Sequence, residues 1–440
     1  MSLQQSPFYN EEYCPAELDI SLPEEQSDDK YQIFKNGPDF FNDFVKTIEN
    51  AQKSIIIKAF IWRNDKVGNM VASALKDAAD RGVKIIILKD RLGSLFEYGE
   101  ENGQSFFHDT PQSEPNFGPH SVRTLYRQGR VIAYFYGNKA LPASQNPKKD
   151  EIVDHPNITA VHQYKLYDHS KVIVVDGETS YVGGVGVGDD FGDKSEKTWI
   201  DFMLKIKGEK ESAKLLETLS GQLSNKEDQL QFLTNCSLAK ENSSLHKEIL
   251  NFIKGTRERI FIEMAFLGHP DFINQITEVV RRSIQVTLVI PKKASSNHFR
   301  NLHFIKRLMR QCKGFEEYLK VMMIPQMVHS KILMRDDEAV LFGSYNLHND
   351  ERVFEEFNLL TTDPVLVKLF EEHFSEHEEI SEQLKKAPSW LSIIIQSRME
   401  YLSVKAQKYI LSRWWKRPQS VESARELCRE LIASTINEKH

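Results

Sequence analysis

The chain has 440 residues, of which 40% are hydrophobic and 27% are charged, so it is long enough for more than one hydrophobic core. This composition excludes a disordered chain, a collagen-like chain and a disulfide-stabilised miniprotein. The net charge of −6 argues against a globally basic surface that would hold nucleic acid. No apolar run approaches the roughly 18 residues that a membrane span needs, and the N-terminus lacks the pattern of a signal peptide. We therefore expect a soluble protein that is cytoplasmic or bound to the periphery of a membrane.

Composition and hydrophobic pattern divide the chain into five segments. Residues 1–30 hold eight acidic residues and one lysine, which predicts a flexible, solvated segment. Residues 31–220 and 248–385 each have the pattern of an α/β half, and the polar residues 221–247 are expected to link them. Residues 386–440 are expected to form a basic, amphipathic helical tail.

In chain order, the first half opens with apolar residues at helical spacing over residues 39–50. The apolar run at residues 53–62 then predicts a buried strand, and residues 70–81 predict a helix that ends before a glycine. A second buried strand is predicted at residues 83–88. Strand, helix and strand at this spacing predict a βαβ unit with parallel strands.

The same order of elements returns in the second half, with strands at residues 259–267 and 285–290 and a helix at residues 272–282. The sequence therefore predicts an internal duplication. The first half has additional residues between 93 and 162, in a stretch rich in Gly, Pro, Asn and Ser. We expect either a long loop or lid over the functional site or a surface insertion without a role.

A repeated motif carries the chemistry. The first copy reads HSKVIVVD from His169 and the second reads HSKILMRD from His329. In both copies six residues separate the aspartate from a turn, GGVG from Gly183 and GSYN from Gly343. If the motif lies on a strand, its His and Lys point to one face, where an ammonium group can neutralise a phosphate and an imidazole can attack it or move protons. The turn would offer backbone or hydroxyl donors to the same anion.

One copy would be a weak signal, because a His-x-Lys pair on a strand is usually a surface accident. Two copies with the same offsets in matching halves are not expected by chance. Two imidazoles that meet across a pseudo-twofold axis can cleave a phosphodiester without a metal, one by attacking phosphorus and the other by protonating the leaving oxygen. The phosphohistidine would then pass to water or to an alcohol.

The doubled pattern H-x-K-x4-D-x6-G-[GS] resembles the signature of the phospholipase D superfamily, and the chain is most similar to its bacterial cardiolipin synthases. Supporting stretches are AFIW at 59–62, AADRGV at 78–83, WID at 199–201 and PKK at 291–293. The resemblance implies an α/β fold with two pseudo-twofold-related α/β/α halves, central mixed sheets and one active site at their interface. It also implies a phospholipase D or phosphatidyltransferase that acts on glycerophospholipids without a metal or another cofactor.

The resemblance further implies roles for individual residues. His169 is implied as the nucleophile and His329 as the acid/base, with the reverse order open. The phosphate is implied to be held by the two motif lysines and by residues of the two turns: Lys171, Lys331, Gly184, Ser344 and Asn346. The chain departs from the family at Gly186, where an asparagine is usual, and at Lys58, where a carboxylate is common.

A catalytic imidazole needs a carboxylate on its second nitrogen to fix its tautomer and orientation. In the family this carboxylate follows the glycine turn, which implies Asp201 in the first half. In the second half the candidates to pair with the second motif histidine are Glu356 and Glu355, of which we favour Glu356. Asp176 and Asp336 are expected to tie a strand to a neighbouring turn and not to contact substrate.

Two further features have alternative interpretations. Apolar residues at spacings of three or four and six basic residues against one acidic residue, over residues 389–417, favour a helix that lies on an anionic membrane. The alternative is a helix packed on the catalytic unit. His373 and His377 have the spacing of metal ligands on a helix, but the five glutamates around them favour a solvated helix, and the four cysteines form no metal or disulfide pattern.

We therefore expect a monomeric enzyme whose partners are a phospholipid substrate and an anionic membrane surface. A metal-independent phosphodiesterase or nuclease acting on nucleic acid is the first alternative, and the acidic balance disfavours it. A non-catalytic lipid-binding protein with a degenerate site is the second, and the two intact His/Lys pairs disfavour it.

Overall fold

The computed structural model describes residues 30–99, 104–109, 141–192, 198–221, 227–235, 245–294, 298–348, 354–386 and 419–437. The predicted acidic segment at residues 1–29 and the basic stretch at residues 387–418 lie outside the described residues. No helix in the described part of the chain has the length and apolarity needed to cross a bilayer.

The first half forms a seven-stranded mixed sheet with the order β1-β7-β6-β5-β2-β3-β4. Strands β2, β3 and β4 run parallel, and the remaining neighbours are antiparallel. Its elements are β1 (Tyr31–Phe34), α1 (Gly37–Asn50), β2 (Ser54–Ala59), α2 (Lys66–Asp80), β3 (Lys84–Lys89), α3 (Arg91–Gly99), α4 (Pro147–Val153), β4 (Ile158–Val161), β5 (Val172–Val175), β6 (Thr179–Gly183), α5 (Asp189–Gly192), β7 (Met203–Lys207) and α6 (Glu209–Leu219).

The second half forms an eight-stranded mixed sheet with the order β15-β11-β10-β9-β12-β13-β14-β8. Strands β9, β10 and β11 are parallel. Its elements are β8 (Leu230–Thr234), α7 (Leu245–Lys254), β9 (Arg259–Met264), α8 (Pro270–Arg281), β10 (Gln285–Pro291), α9 (His298–Gln311), a short 3-10 helix (Glu316–Tyr318), β11 (Leu319–Ile324), β12 (Lys331–Arg335), β13 (Ala339–Gly343), β14 (Phe357–Thr361), α10 (Pro364–Glu379), β15 (Glu382–Gln383) and α11 (Gln419–Asn437).

The two sheets repeat one arrangement, because β7-β6-β5-β2-β3-β4 corresponds strand by strand to β14-β13-β12-β9-β10-β11. The predicted α/β fold with mixed central sheets is therefore confirmed, as are the parallel βαβ units β2-α2-β3 and β9-α8-β10. Helix α2 begins earlier than predicted because the Asp65 side chain accepts a hydrogen bond from the Gly68 amide and caps it.

One hydrophobic core joins the two halves. It contains Val174 of β5 and Leu204 of β7 from the first sheet together with Ile332 of β12 and Phe342 of β13 from the second. Because these strands carry apolar side chains on the faces that meet, the two sheets pack against each other. This contact sets the relative position of the two motif-bearing segments.

Two expected segments differ from the structure. Residues 221–247, expected as a linker, contain β8, whose alternating buried positions let it pair with β14 at the sheet edge. The additional stretch at residues 93–162 is not wholly a loop: it includes α4 and β4, and β4 extends the first sheet. Its residues 100–103 and 110–140 lie outside the described chain.

The C-terminal helix α11 packs on the folded unit. Ala424, Cys428 and Ile432 are buried in the core that joins the halves. The helical part of the predicted C-terminal tail that the structure describes is therefore packed on the folded unit. The basic stretch expected to bind a membrane precedes α11 and is not among the described residues.

The two motif aspartates close turns between neighbouring strands. Asp176 accepts a hydrogen bond from the backbone amide of Lys53 at 2.7 Å, and Asp336 accepts one from Glu258 at 2.8 Å. Both aspartates adopt positive φ, 54° and 53°. Each therefore ties the turn after its motif strand to the start of the neighbouring antiparallel strand, β2 or β9.

Candidate active site

Each motif histidine lies just before a central strand, not within it. Strand β5 begins at Val172 and β12 at Lys331, so His169 and His329 occupy the approach to these strands. The His169 amide donates to the carbonyl of Glu355 at 2.8 Å, and the His329 amide donates to the carbonyl of Ile200 at 2.7 Å. Each motif is therefore bound to a segment of the opposite half.

The carboxylates pair with the histidines across the interface. His169 Nδ1 lies 3.2 Å from the Glu356 carboxylate, and His329 Nδ1 lies 2.7 Å from Asp201 Oδ2. The expectation that each half supplies the carboxylate for its own histidine is therefore wrong. The physical reason is that the first motif pairs with the segment before β14 and the second motif with the segment before β7, so each motif contacts the other half. In both pairs the carboxylate lies on Nδ1, which leaves Nε2 as the nitrogen that does not face the carboxylate.

The structure also separates Glu355 from Glu356. Glu356 is fully buried beside His169, whereas Glu355 turns away, with its carboxylate 3.7 Å from Lys58 and 3.6 Å from Arg425. Of the two candidates, Glu356 is the one beside an imidazole. That imidazole belongs to His169 and not, as expected, to the second motif.

The motif lysines are buried next to their histidines. Lys171 Nζ donates to the carbonyl of His169 at 2.5 Å, and Lys331 Nζ donates to the carbonyl of His329. Burial and repulsion by Lys331 lower the pKa of Lys171 to about 8. Burial and the neighbouring Lys331 also lower the pKa of His329 to about 3. Two ammonium groups that repel each other thus lie buried in one site, where an anion such as a phosphate would offset their repulsion.

Two of the expected phosphate-site residues act on the carboxylates. The Ser344 hydroxyl donates to Glu356 and accepts from the amide of Phe357 at 3.0 Å. At Gly184 an added Cβ would lie 2.3 Å from Asp201 Oδ1. Ser344 therefore orients Glu356, and Gly184 allows Asp201 to approach. Direct contact of these two residues with substrate stays a prediction.

Asn346 differs from these two turn residues. Its side chain is buried, and its Oδ1 atom has no hydrogen-bond partner within the described chain. A buried amide with an unsatisfied atom is costly unless a ligand completes its hydrogen bonds. The structure therefore leaves Asn346 available to a substrate.

Aromatic rings surround both imidazoles. The Phe60 ring lies 4.9 Å from the His169 ring, and the Trp199 ring lies 5.3 Å from the His329 ring. Phe60 also contacts Phe96, whose centroid is 5.4 Å away and whose side chain is 44% exposed. An apolar surface thus leads from solvent to His169.

His373 and His377 are not on a solvated helix face, so that expectation is wrong. Both are buried on α10, where His373 Nε2 lies 3.2 Å and His377 Nδ1 lies 2.5 Å from the Glu263 carboxylate. The Ser330 hydroxyl, between the second motif's His and Lys, also donates to Glu263. The three groups are of a kind that binds zinc, but each carboxylate oxygen already bonds an imidazole, which balances the charge. This cluster therefore contacts the second motif through Ser330.

Sequence reasoning missed the Glu263 cluster and the position of Arg425 beside Glu355. The signal for the Glu263 cluster was present, since two histidines four residues apart lie on one face of a helix. The signal for Arg425 was its place, like that of Arg429, among the buried positions of α11, which the basic composition of the tail obscured.

Comparisons with known proteins agree with this geometry. A family model described as "Cardiolipin synthase, PLD-like domain" matches residues 44–218 and 249–378. A cardiolipin synthase of Staphylococcus aureus (strain Mu50) is 24% identical over 386 residues, which cover 82% of this chain and 69% of that protein. Cardiolipin synthase A of Pseudomonas syringae pv. syringae (strain B728a) is 24% identical over 364 residues, covering 77% of this chain and 66% of that protein.

A solved structure shares the fold. The crystal structure of phosphatidylserine synthase from Haemophilus influenzae Rd KW20 superposes with a TM-score of 0.62 and 15% sequence identity. The match covers 87% of this chain and 94% of that one. The duplicated arrangement of both halves is therefore shared with a protein of known structure.

Proposed function

This chain belongs to the family of cardiolipin synthases with a phospholipase D-like domain and is an enzyme of the phospholipase D type, and we propose that it transfers the phosphatidyl group of a glycerophospholipid to a hydroxyl group through a covalent phosphohistidine. The observation that carries the proposal is the crossed pairing of two imidazoles with two carboxylates, His169 with Glu356 and His329 with Asp201. The names of the curated relatives support a glycerophospholipid as the substrate.

The proposed reaction has two displacements. His169 Nε2 attacks phosphorus, the bond from phosphorus to the head-group oxygen breaks, and His329 gives that oxygen a proton. The hydroxyl of the acceptor then attacks the phosphohistidine, its proton passes to His329, and the phosphorus–nitrogen bond breaks. Lys171 and Lys331 neutralise the non-bridging oxygens in both steps. The acceptor is an alcohol for transfer and water for hydrolysis.

Proton transfer depends on substrate binding. His329 is neutral at neutral pH in the empty site, because its pKa is lowered to about 3. A bound phosphate offsets the charge of Lys331 and Lys171 and raises the pKa of His329, since an adjacent anion favours the protonated imidazole. His329 thus becomes able to hold the proton it must give when the phosphate is in place.

A mixture of phospholipids with a short alcohol tests the proposal, with lipid mass spectrometry as the readout. We expect a new phosphatidyl-alcohol that still forms in EDTA. Phosphatidic acid alone would show a hydrolase, while unchanged lipid beside cut DNA would show a nuclease and overturn the proposal. Strict dependence on an added divalent metal would also contradict it.

The aromatic surface predicts a selective effect on lipids. Replacement of Phe96 by Asp places a charge on the apolar path to Phe60 and His169. A passing acyl chain would have to desolvate part of this charge, and we expect that cost to lower turnover of long-chain phospholipid about tenfold. Turnover of a soluble phosphodiester such as bis(p-nitrophenyl) phosphate should stay the same. The exposed Val365→Asp, on α10, is the matched control. Equal loss on both substrates would contradict a role in lipid access.

The basic stretch predicts binding to anionic vesicles. Each basic residue near such a surface contributes about 1 kcal/mol, so exchanging Lys405, Lys408 and Arg413 for glutamine should weaken vesicle binding by about 100-fold. These exchanges keep α11, which a deletion of residues 386–440 would remove. Cosedimentation with phosphatidylglycerol vesicles measures the effect, and turnover of the soluble phosphodiester serves as the control. Unchanged vesicle binding would show that the stretch does not dock the enzyme.

A further inference from the structure

Helix α11 reaches the segment that leads into the first motif. Arg425, which is 3% exposed, donates from Nε to the carbonyl of Leu166 at 2.6 Å and from a terminal nitrogen to the carbonyl of Tyr167 at 2.9 Å. A guanidinium group is planar and presents several donors in fixed directions, so it can hold two consecutive carbonyls at once. These two residues come just before Asp168 and His169.

The segment held by Arg425 is conformationally demanding. Tyr167 has a φ of 54°, in the left-handed region that a bulky residue rarely adopts. Asp90 accepts hydrogen bonds from the amides of Leu166 at 3.1 Å and Asp168 at 2.8 Å. Residues 166–168 thus bond a carboxylate through their amides and an arginine through their carbonyls, which keeps an unfavourable backbone turn in one arrangement.

This turn is connected directly to the catalytic pair. The Tyr167 carbonyl also accepts a hydrogen bond from the amide of Glu355 at 2.5 Å, and the carbonyl of Glu355 accepts one from the amide of His169. The next residue, Glu356, contacts the imidazole of His169. Moving the Tyr167 carbonyl would therefore move both members of the His169–Glu356 pair.

The charges around Arg425 form a buried, balanced set. Lys58 Nζ lies 2.7 Å from Asp168 and 3.7 Å from Glu355, and Arg425 lies 3.6 Å from the second oxygen of Glu355. Two positive and two negative groups thus occur together, and all four are buried. Lys58, a departure from the family pattern, is one member of this set.

The second half has a different arrangement at the corresponding place. Asp168 pairs with Glu355 in a parallel bridge, and the equivalent bridge joins two apolar residues, Val328 and Ile200. The counterpart of Lys58 on β9 is Glu263, whose charged partners come from α10. Only the first motif of the described chain therefore uses a charged set that needs the C-terminal helix to complete it.

We propose that Arg425 is a positioning residue for the His169–Glu356 pair, so that helix α11 is part of the catalytic unit. This inference deepens the proposed function and rests on it. Arg425 does not touch substrate: it fixes the two carbonyls before the motif and offsets the charge of Glu355. The proposal predicts a loss of rate and not a loss of substrate affinity, because a small displacement of a reacting group lowers the rate of the chemical step.

The test uses the full chain, bis(p-nitrophenyl) phosphate as the probe and the variants Arg425→Ala and Arg425→Lys. Arg425→Ala should lower kcat by about 10- to 100-fold while KM changes less than about twofold. Arg425→Lys keeps the charge but not the planar guanidinium group, and its loss of kcat should be smaller than that of Arg425→Ala. Arg282→Ala is the control, because Arg282 also donates to two backbone carbonyls, both at 3.0 Å, but supports no motif residue.

A double-mutant cycle with Glu356→Gln separates positioning from general destabilisation. If Arg425 acts through the His169–Glu356 pair, adding Arg425→Lys to Glu356→Gln should cost little further rate, since coupled residues are non-additive. The proposal would be overturned if the fold-losses in kcat of the two single variants multiply in the double variant. An unchanged kcat in both Arg425 variants, or a loss of cooperative unfolding in Arg425→Lys, would also overturn it. Wild-type turnover that does not need His169 would instead refute the proposed function, so the two failures are distinguishable.

Discussion

Replacement of His169 or His329 by alanine is expected to lower turnover of phospholipid by about 10⁴-fold or more, because each variant removes a group that forms or breaks a bond. The two histidines occupy similar places, each with Nδ1 on a carboxylate of the opposite half. The substitutions alone would therefore not distinguish the nucleophile from the acid.

A substrate with a good leaving group distinguishes the two roles. The p-nitrophenolate ion departs without a proton, so the variant that lacks the general acid should still form the phosphohistidine and release a burst of p-nitrophenolate. Its later turnover should stay slow, because His329 also takes the proton of the acceptor. The variant that lacks the nucleophile should give no burst. We expect His329→Ala to recover this burst and His169→Ala not to recover it.

The control is His155→Ala, because the His155 side chain bonds Asp80 and the amide of Asn157, neither of which belongs to a motif. It should match the wild type on both substrates. Recovery of His169→Ala in place of His329→Ala would reverse the assignment of roles. Full activity of both motif variants on phospholipid would refute the phosphohistidine mechanism.

The crossed carboxylates explain why these effects should be large in both halves. Asp201 belongs to the first half and orients His329, whereas Glu356 belongs to the second half and orients His169. Neither half alone contains a motif histidine together with its carboxylate. The catalytic pairs therefore form only when the two sheets pack through their shared core, and one chain supplies both halves.

The sequence predicted those features that depend on local pattern. The β-branched runs at residues 54–59 and 84–89 have few alternatives to a buried strand, and the helix between them makes a parallel pair the expected outcome. The motif aspartates lie in turns, where their side chains accept hydrogen bonds from backbone amides of a neighbouring segment of the same chain. Periodicity and spacing carry this information directly.

The features that were not predicted depend on contacts across the fold. The partner of His169 is Glu356, 187 residues away, and the partner of His377 is Glu263, 114 residues away. No spacing rule relates such pairs, because the packing of the halves brings them together. The charge of the tail also suggested a membrane surface, which concealed that Arg425 faces the first motif.

The buried Glu263 cluster gives the largest expected effect on stability. Glu263→Gln keeps the shape of the side chain but removes the charge that faces His373 and His377, and breaking a buried charge pair costs about 3–5 kcal/mol. Denaturant unfolding of wild type and variant measures the loss. Glu376→Gln is the control, because Glu376 bonds Lys35 at the surface, where an ion pair contributes about 0–1 kcal/mol.

The pH dependence of this loss follows from the two partners. Burial raises the pKa of Glu263, but the two imidazoles outweigh burial and lower it. The contribution of Glu263 to the free energy of unfolding is therefore present above the unfolded pKa of 4.5 and is lost as the pH falls. Burial lowers the pKa of His377, but Glu263 outweighs burial and raises it. The contribution of His377 to the free energy of unfolding is therefore complete below the unfolded pKa of 6.5 and is lost as the pH rises through the raised folded pKa. The difference in unfolding free energy between wild type and Glu263→Gln should therefore be greatest between about pH 4.5 and 6.5 and should shrink on both sides. A difference that stays constant from pH 4 to pH 9 would show that the cluster is held by packing and not by charge.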